Sequence, residues 1–210
     1  MSETTSQATA QDPFLSVRSP LYWRGAAGEV KKLRTLAVSA IFLALSSAVA
    51  SVFIPLPNNL RVYFTYGPKA LCAAVIGPVS GLLFGLTGDL LGFALHPTGG
   101  FFPGYTLTSM MGMFLYGLGL YRKKITVRRL ALTKLLVNLV CNAGLNVLWS
   151  AILYQKAWIV YFTASLTKNL ILWPVETVVL VLVFRLVGPL MERQGFLLPG
   201  SIPRRKGKSD

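Results

Sequence analysis

Long apolar runs recur along this chain and constrain its fold more than any other feature. Five of them approach the roughly 20 residues that a helix needs to cross the hydrocarbon core of a bilayer. These runs are Leu33–Phe53, Val79–Leu95, Pro103–Tyr121, Leu130–Leu153 and Ala164–Val187. Because 53% of the 210 residues are hydrophobic and only 13% are charged, the chain has too little polar surface for a soluble domain. The sequence therefore predicts an all-α integral membrane protein.

A sixth and weaker run, Val62–Gly77, is counted as a helix because of where the positive charges lie. Six helices with the N-terminus in the cytoplasm place 17 of the 21 Lys and Arg residues in or beside cytoplasmic segments. The four on the outer half are Arg61, Lys69, Lys156 and Lys168. An excess of Lys and Arg on the cytoplasmic side is the rule for membrane proteins. We therefore expect a six-transmembrane-helix bundle with both termini in the cytoplasm.

The ends of the chain differ from its centre in composition. Residues 1–30 are polar, with no basic segment followed by an apolar core, so we expect a flexible cytoplasmic tail rather than a cleavable signal peptide. Residues 31–190 form the predicted membrane domain, and residues 191–210 a basic cytoplasmic tail. The net charge of +14 comes from short clusters beside the predicted spans, so a nucleic-acid partner is not expected.

Sequence motifs for the common catalytic sites are missing. The chain has no Walker A motif, no HExxH and no Gly-x-Ser-x-Gly. Its two cysteines, Cys72 and Cys141, lie inside predicted spans without metal-ligand spacing, as packing residues would. We expect no ATPase site, metal or cofactor in this chain.

The third and fifth predicted spans carry carboxylate or amide side chains. Asp89 lies inside the third span among Gly81, Gly85, Gly88 and Gly92, where it is either a ligand contact or a structural hydrogen-bond acceptor. Asn138, Asn142, Asn146 and Trp149 share one face of the fifth. We interpret Asn138 as a link between helices, and Asn146 with Trp149 as suited to a planar heterocycle.

The last span combines a proline with charged and amide side chains. Pro174 is expected to kink it, with Lys168 and Asn169 on the outer side of the kink. Glu176 lies deeper, where we expect it to pair within the bundle.

The segment LHPTGGFFPGYTL, Leu95–Leu107, interrupts the apolar pattern between the third and fourth spans. It holds the only histidine, His96, and the flexible pair Gly99-Gly100. Pro103 suits the first turn of a helix whose free N–H groups, near residues 104–106, could hold a carboxylate. Exposed Phe101 and Phe102 would be costly, so we expect them to cover an apolar or aromatic ligand, although a purely structural turn is the alternative.

Small residues repeat every four positions in the first span, at Ala40, Ala44 and Ala48. Such a stripe allows close approach of another helix in lipid, either within the same molecule or from a partner.

The segments LRVYFTYGPKAL and GDLLGFALHPTGGFFPGYTLTSMMGMFLYGLGLY, with NAGLNVLWSAILYQKAW and LTKNLILWPVE, resemble a known family. This family comprises the folate-specific, FolT-like S components of energy-coupling factor (ECF) vitamin transporters. The similarity covers roughly residues 33–187. The resemblance implies an S-component bundle that captures folate from outside and has no transport activity alone. It also implies a transmembrane coupling subunit, two ABC ATPases that use ATP, toppling in the bilayer of the cell membrane, and a docking role for Ala40, Ala44 and Ala48.

The residues and the resemblance together give one set of candidate substrate-binding side chains. These are Arg61, Asp89, His96, Gly99, Gly100, Phe101, Phe102, Pro103, Gly104, Tyr105, Thr106, Asn142, Asn146, Trp149, Lys168 and Asn169. Folate offers a flat pterin with donors and acceptors, an aromatic ring and two carboxylates, which amides, aromatic rings and cations would bind.

Several other functions stay open at this point. The chain could be an S component for a different vitamin. It could be a secondary transporter that works alone, although no internal two-fold repeat is visible. An intramembrane enzyme that uses Asp89 with Glu176, or a purely structural scaffold, has less support.

Overall fold

The computed structural model describes residues 19–51, 53–56, 60–95, 100–154 and 158–202. Within them the chain is a helical bundle with one short β-hairpin. The helices are α1 (Pro20–Glu29), α2 (Leu33–Ala50), α3 (Tyr66–Leu95), α4 (Pro103–Leu120), α5 (Val127–Val137), α6 (Asn146–Tyr154) and α7 (Trp158–Arg193). A π-helical segment, Asn138–Leu145, joins α5 to α6 without a break, and the strands are β1 (Phe53–Leu56) and β2 (Leu60–Tyr63).

Helix α3 contains a sharp break at Gly77, which separates two of the predicted spans. Gly77 has φ 79° and ψ 179°, a left-handed conformation that favours glycine, and Pro78 follows it. Lys69 and Asp89, from opposite sides of the break, line the same cavity, so the two halves of α3 fold back toward each other. The two halves, with α2, α4, α7 and the continuous α5–π–α6 stretch, give six helices. The prediction of an all-helical six-helix bundle is confirmed.

Among the residues that the structure describes, four helical segments are long and apolar enough to cross a membrane: 33–50, 66–95, 127–153 and 161–193. Helix α4 is not among them because its Gly, Tyr, Thr and Ser residues lower its hydropathy. It packs closely along α3 nonetheless. A Cβ atom added to Gly85 would lie 2.6 Å from Cα of Met110 and 2.7 Å from the carbonyl oxygen of Ser109, so the two backbones are nearly in contact there.

The hairpin corrects the predicted bounds of the first two spans. Helix α2 ends at Ala50 rather than Phe53, and α3 begins at Tyr66 rather than Val62. The strands pair antiparallel, with Phe53 opposite Tyr63 and Leu56 opposite Leu60. The prolines of FIPLP disfavour a helix in this stretch.

Helix α7 is also longer than predicted, because it begins at Trp158 instead of Ala164. The segment Trp158–Phe162, expected in an outer loop, therefore belongs to the helix, and Pro174 and Pro189 both lie inside it.

Residues 20–29, expected in a polar tail, form helix α1. Pro20 starts it, as is common at a first helical position. Tyr22 and Ala26 are fully buried, and the Tyr22 hydroxyl donates to the carbonyl oxygen of Gly117 at 3.2 Å. The helix thus packs on the end of α4. The remainder of that predicted tail, residues 1–18, lies outside the described residues.

The chain order defines two ends of the bundle. The hairpin end carries β1, β2 and the connections from α3 to α4 and from α6 to α7. The terminal end carries α1, the turn after α4 and the segment after α7. There Arg34 donates to the carbonyl oxygen of Gln194 at 2.8 Å, and the amide of Ile125 donates to that of Ser201 at 2.7 Å.

Candidate functional site

A cavity of about 510 Å³ lies among α3, α4, the α5–π–α6 stretch and α7. Its volume falls within the roughly 300–1,000 Å³ typical of small-molecule sites. Tyr63, Tyr105 and Tyr161 line it at the hairpin end, and Lys134 and Glu176 line its deepest part. The predicted site residues on its wall are Asp89, Tyr105, Asn142, Asn146, Lys168 and Asn169.

Asp89 links α3 to α4 and also lines the cavity. Its carboxylate accepts hydrogen bonds from the Thr106 hydroxyl at 2.7 Å and the Ser109 hydroxyl at 3.1 Å. These bonds satisfy a charged group that would be costly in a membrane interior. Asp89 is therefore a structural acceptor that a ligand in the cavity would also meet.

A buried ionic network closes the deep end of the cavity. Nζ of Lys134 lies 3.2 Å from Oε1 of Glu176, and the side chains are 4% and 11% exposed. Asn138 donates to the other carboxylate oxygen of Glu176 at 2.7 Å. The Lys134 ammonium group also lies 4.2 Å from the centre of the Tyr66 ring. Our interpretation of Asn138 as a helix link and of Glu176 as paired within the bundle is confirmed.

The amide side chains continue this network toward the hairpin end. Asn142 donates to Asn138 at 3.0 Å and lies 3.4 Å from the side-chain oxygen of Asn169. Asn169 donates to the carbonyl oxygen of Ser165 at 2.8 Å, which fixes its orientation. Asn146, four residues after Asn142, also lines the cavity. Its amide has no hydrogen-bond partner among the described residues. This amide is therefore available to a ligand.

Two further polar groups face the cavity without protein partners in the described part of the chain. The hydroxyl of Tyr116 is buried and makes no hydrogen bond there. Lys69 has no carboxylate within 4.0 Å among the same residues. Because buried polar groups are nearly always paired, the Tyr116 hydroxyl indicates a polar ligand, and Lys69 adds a positive charge to the same wall.

The predicted aromatic residues of the loop pack beside the cavity rather than in its wall. The Phe102 ring meets the rings of Tyr105 and Trp149 edge-on, at 5.8 and 5.7 Å between centres. The Trp149 indole N–H donates to the Thr108 hydroxyl at 3.0 Å. A Cβ atom added to Gly104 would collide with the Phe102 and Trp149 rings, so glycine permits this packing. These contacts hold Phe102 and Trp149 in place behind the residues that line the cavity.

The other predicted loop residues are distributed differently. Phe101 is 45% exposed and packs edge-on against Phe93. Gly100 is exposed, and Pro103 is the first residue of α4. His96 and Gly99 lie outside the described residues, and of Arg61 only the backbone, in β2, is described. Of the described loop residues, Gly100, Phe101 and Pro103 do not line the cavity.

Four residues of the cavity wall were not predicted from the sequence. Tyr66, Lys69, Tyr116 and Lys134 line the cavity, but none was selected as a binding residue. Lys134 was counted among the cytoplasmic positive charges, whereas the structure buries it beside Glu176. The available signal was a lysine inside a predicted span, which must find a partner in the bundle.

The profile of a known family, described as "ECF transporter, substrate-specific component", matches residues 34–184. The chain belongs to this family. It is therefore a multi-pass membrane protein and the substrate-specific component of a transporter. The match spans all six membrane helices, including the whole wall of the cavity.

Individual relatives agree with this assignment. "Folate transporter FolT" of Clostridium novyi is 30% identical over 161 residues, 77% of this chain and 94% of that protein. The protein of the same name from Leuconostoc mesenteroides subsp. mesenteroides is 28% identical over 149 residues, covering 68% and 80%. A solved structure, "Crystal structure of FolT bound with folic acid", is similar with a TM-score of 0.65 and 25% identity. The similarity covers 71% of this chain and 92% of that one.

Proposed function

We propose that this S component captures folate from the side of the membrane that the hairpin end faces. The observation that carries the proposal is the cavity of about 510 Å³, whose Asn146 amide and Tyr116 hydroxyl have no hydrogen-bond partner in the described part of the chain. A flat heterocycle with several donors and acceptors would satisfy both groups. The relatives named folate transporters and the similar structure with bound folic acid support folate as that heterocycle.

The deep and shallow parts of the cavity suggest how folate is oriented. The pterin would lie among the amides of Asn142, Asn146 and Asn169, and tyrosine rings of the wall would stack on it. The two carboxylates would lie nearer the hairpin end, where Lys168 and the start of α4 supply positive potential. Arg61 belongs to the same end, because it precedes Tyr63 of the cavity wall by two residues in β2. Phe102 and Trp149 would support this wall from behind and not stack on the ligand themselves.

We infer that transport requires a coupling subunit with two ABC ATPases, and that toppling in the membrane delivers the vitamin. The chain shows no Walker A motif, so the energy would come from these partners. Ala40, Ala44 and Ala48 are all exposed on α2, as are the neighbouring Ile41 and Leu45. This flat face is available for a partner helix.

The orientation follows from the charges. With the basic terminal end in the cytoplasm, both termini are cytoplasmic and the cavity lies in the outer part of the bundle. A vitamin would then enter from outside.

Purification from cells that contain folates tests the identity of the ligand. We expect the protein to carry a molecule with the absorbance and mass of a pteridine. A different co-purified vitamin would contradict the folate assignment and favour the alternative of an S component for that compound.

Reconstitution of this chain alone in liposomes tests the requirement for partners. Labelled folate should bind but not accumulate. Accumulation without any partner would favour a stand-alone secondary transporter.

A further inference from the structure

A second cavity, of about 300 Å³, lies at the terminal end, far from the proposed folate site. Four segments line it: the α1–α2 junction with the start of α2, Ala74 and Val75 of α3, the end of α4 with the turn that follows it, and the segment that follows α7. Glu29, Lys32 and the lining residues from 195 to 201 fall outside the part of the chain that the family profile matches, residues 34–184. Segments on both sides of the matched part of the chain therefore complete this cavity.

The cavity has an excess of positive charge. Four cations, Lys32, Arg34, Arg122 and Lys123, and one carboxylate, Glu29, line it. That carboxylate is already used, since Lys32 pairs with it at 2.7 Å and the Thr35 hydroxyl donates to it at 2.9 Å. In the described part of the chain, no carboxylate lies within 4.0 Å of the other three cations.

In the described part of the chain, Arg34 and Lys123 contact neutral groups. Arg34 lies 4.3 Å from the centre of the Phe196 ring and donates to a carbonyl oxygen. Lys123 donates to the carbonyl oxygen of Leu118 at 2.8 Å. Burial, with the nearby Arg129 charge, lowers the pKa of Lys123, as expected for a cation without a counter-ion.

A buried hydroxyl points to the same ligand chemistry. Ser201 is 2% exposed and lines the cavity, and its hydroxyl has no hydrogen-bond partner among the described residues. A hydroxyl donor among guanidinium and ammonium groups suits the oxygens of a phosphate group.

The surroundings favour a lipid as the source of that phosphate. Val38, Leu120 and Leu198 give the cavity an apolar wall beside its cations. Next to it, α1 exposes Leu21 and Trp23, and the Trp23 ring stacks on Phe114 of α4. Tryptophan on a short helix that lies across the end of a bundle is typical of the membrane–water interface.

We propose that this cavity binds the phosphate headgroup of an anionic phospholipid in the leaflet at the terminal end. Arg34, Arg122, Lys123 and the Ser201 hydroxyl hold the phosphate, and the apolar wall receives the glycerol end of the acyl chains. Basic pockets between membrane helices on the cytoplasmic side are known to take lipid headgroups. The bound lipid would fasten the two terminal segments to the turn after α4.

The test uses the full chain, delipidated in a neutral detergent, with the thermal unfolding midpoint as readout. Phosphatidylglycerol should raise the midpoint in a saturable way, more than phosphatidylcholine or inorganic phosphate does. Equal effects of the two lipids would overturn the proposal. An equal rise in the unfolding midpoint with inorganic phosphate would overturn the assignment to a lipid.

Two double variants with the same change in charge locate the site. Arg122→Gln with Lys123→Gln should weaken phosphatidylglycerol binding about tenfold. Lys124→Gln with Arg128→Gln, at exposed positions that do not line the cavity, should leave it unchanged. An equal loss of phosphatidylglycerol affinity in both double variants would show that the lipid is attracted by net charge alone, and would overturn the proposal.

Ser201→Ala keeps every charge and provides a second variant if the first double variant does not fold. It should weaken phosphatidylglycerol binding several-fold with no effect on the unfolding midpoint of the lipid-free protein. Unchanged lipid affinity in this variant would remove Ser201 from the site. The comparison of lipids on the unaltered chain needs no variant at all.

Discussion

Lys134 of α5 and Glu176 of α7 form an ion pair of 3.2 Å at the deep end of the cavity, with both side chains nearly buried. The two paired residues are 42 positions apart in the chain, so the pair joins two distant helices. Asn138 of the π-helical segment donates a hydrogen bond to the same carboxylate. One carboxylate thus connects three parts of the cavity wall.

Breaking this ion pair should destabilise the bundle strongly. Lys134→Met leaves a buried carboxylate without its counter-charge, and we expect a loss of about 3–5 kcal/mol in unfolding free energy. Thermal unfolding in detergent measures the effect. The double variant Lys134→Met with Glu176→Met should recover most of the stability, since it removes both charges. A single variant as stable as the unaltered protein would contradict the buried pairing.

The two asparagines Asn146 and Asn138 should behave differently. Asn146→Leu should weaken folate binding by about 1–3 kcal/mol, because a ligand group loses its partner, and should leave thermal stability unchanged. Asn138→Leu should lower stability, because Glu176 loses a donor. A fluorescence titration with folate gives the affinities. An unchanged affinity for Asn146→Leu would take this residue out of the site.

Close approach of α3 and α4 makes a matched pair of glycine variants informative. Gly85→Ala should destabilise the protein by about 1–3 kcal/mol, because the added methyl group meets the α4 backbone. Gly92→Ala, in the same helix with nothing within 4 Å, should be neutral or slightly stabilising. Equal unfolding midpoints for the two variants would argue against the helix crossing.

The alanine stripe of α2 should matter for coupling but not for binding. Ala44→Trp places an indole on the exposed face and should abolish ATP-dependent folate uptake in cells that contain the coupling module. Folate affinity of the purified variant should stay unchanged. Leu186→Trp, at a position of α7 that is 73% exposed, is the control and should transport normally. Normal uptake by Ala44→Trp would exclude this face as the docking surface.

The sequence predicted the features that depend on short-range pattern. Apolar runs with the positive-charge distribution gave the six helices, and the four-residue spacing placed Asn138, Asn142 and Asn146 on one face. The hydrogen bond from Asn142 to Asn138 is a direct result of that spacing. Glu176 was also expected to pair, because a charge inside a span must do so.

Features that depend on distant residues were not visible in the sequence. Lys134 was grouped with nearby basic residues, because its partner Glu176 lies 42 positions away. Helix α1 was predicted to be part of a polar tail, although Tyr22 is buried by a contact with Gly117, which lies 95 residues further along the chain. Phe102 was expected to cover a ligand. Its ring packs on Trp149, and this contact depends on the packing of α4 against α6, which the sequence does not show.

An equilibrium titration of the purified, ligand-free chain with folic acid shows whether this protein binds folate by itself. We expect saturable binding with a stoichiometry of one, without ATP or any partner protein. No measurable binding of folic acid or of any reduced folate by a folded protein would contradict it.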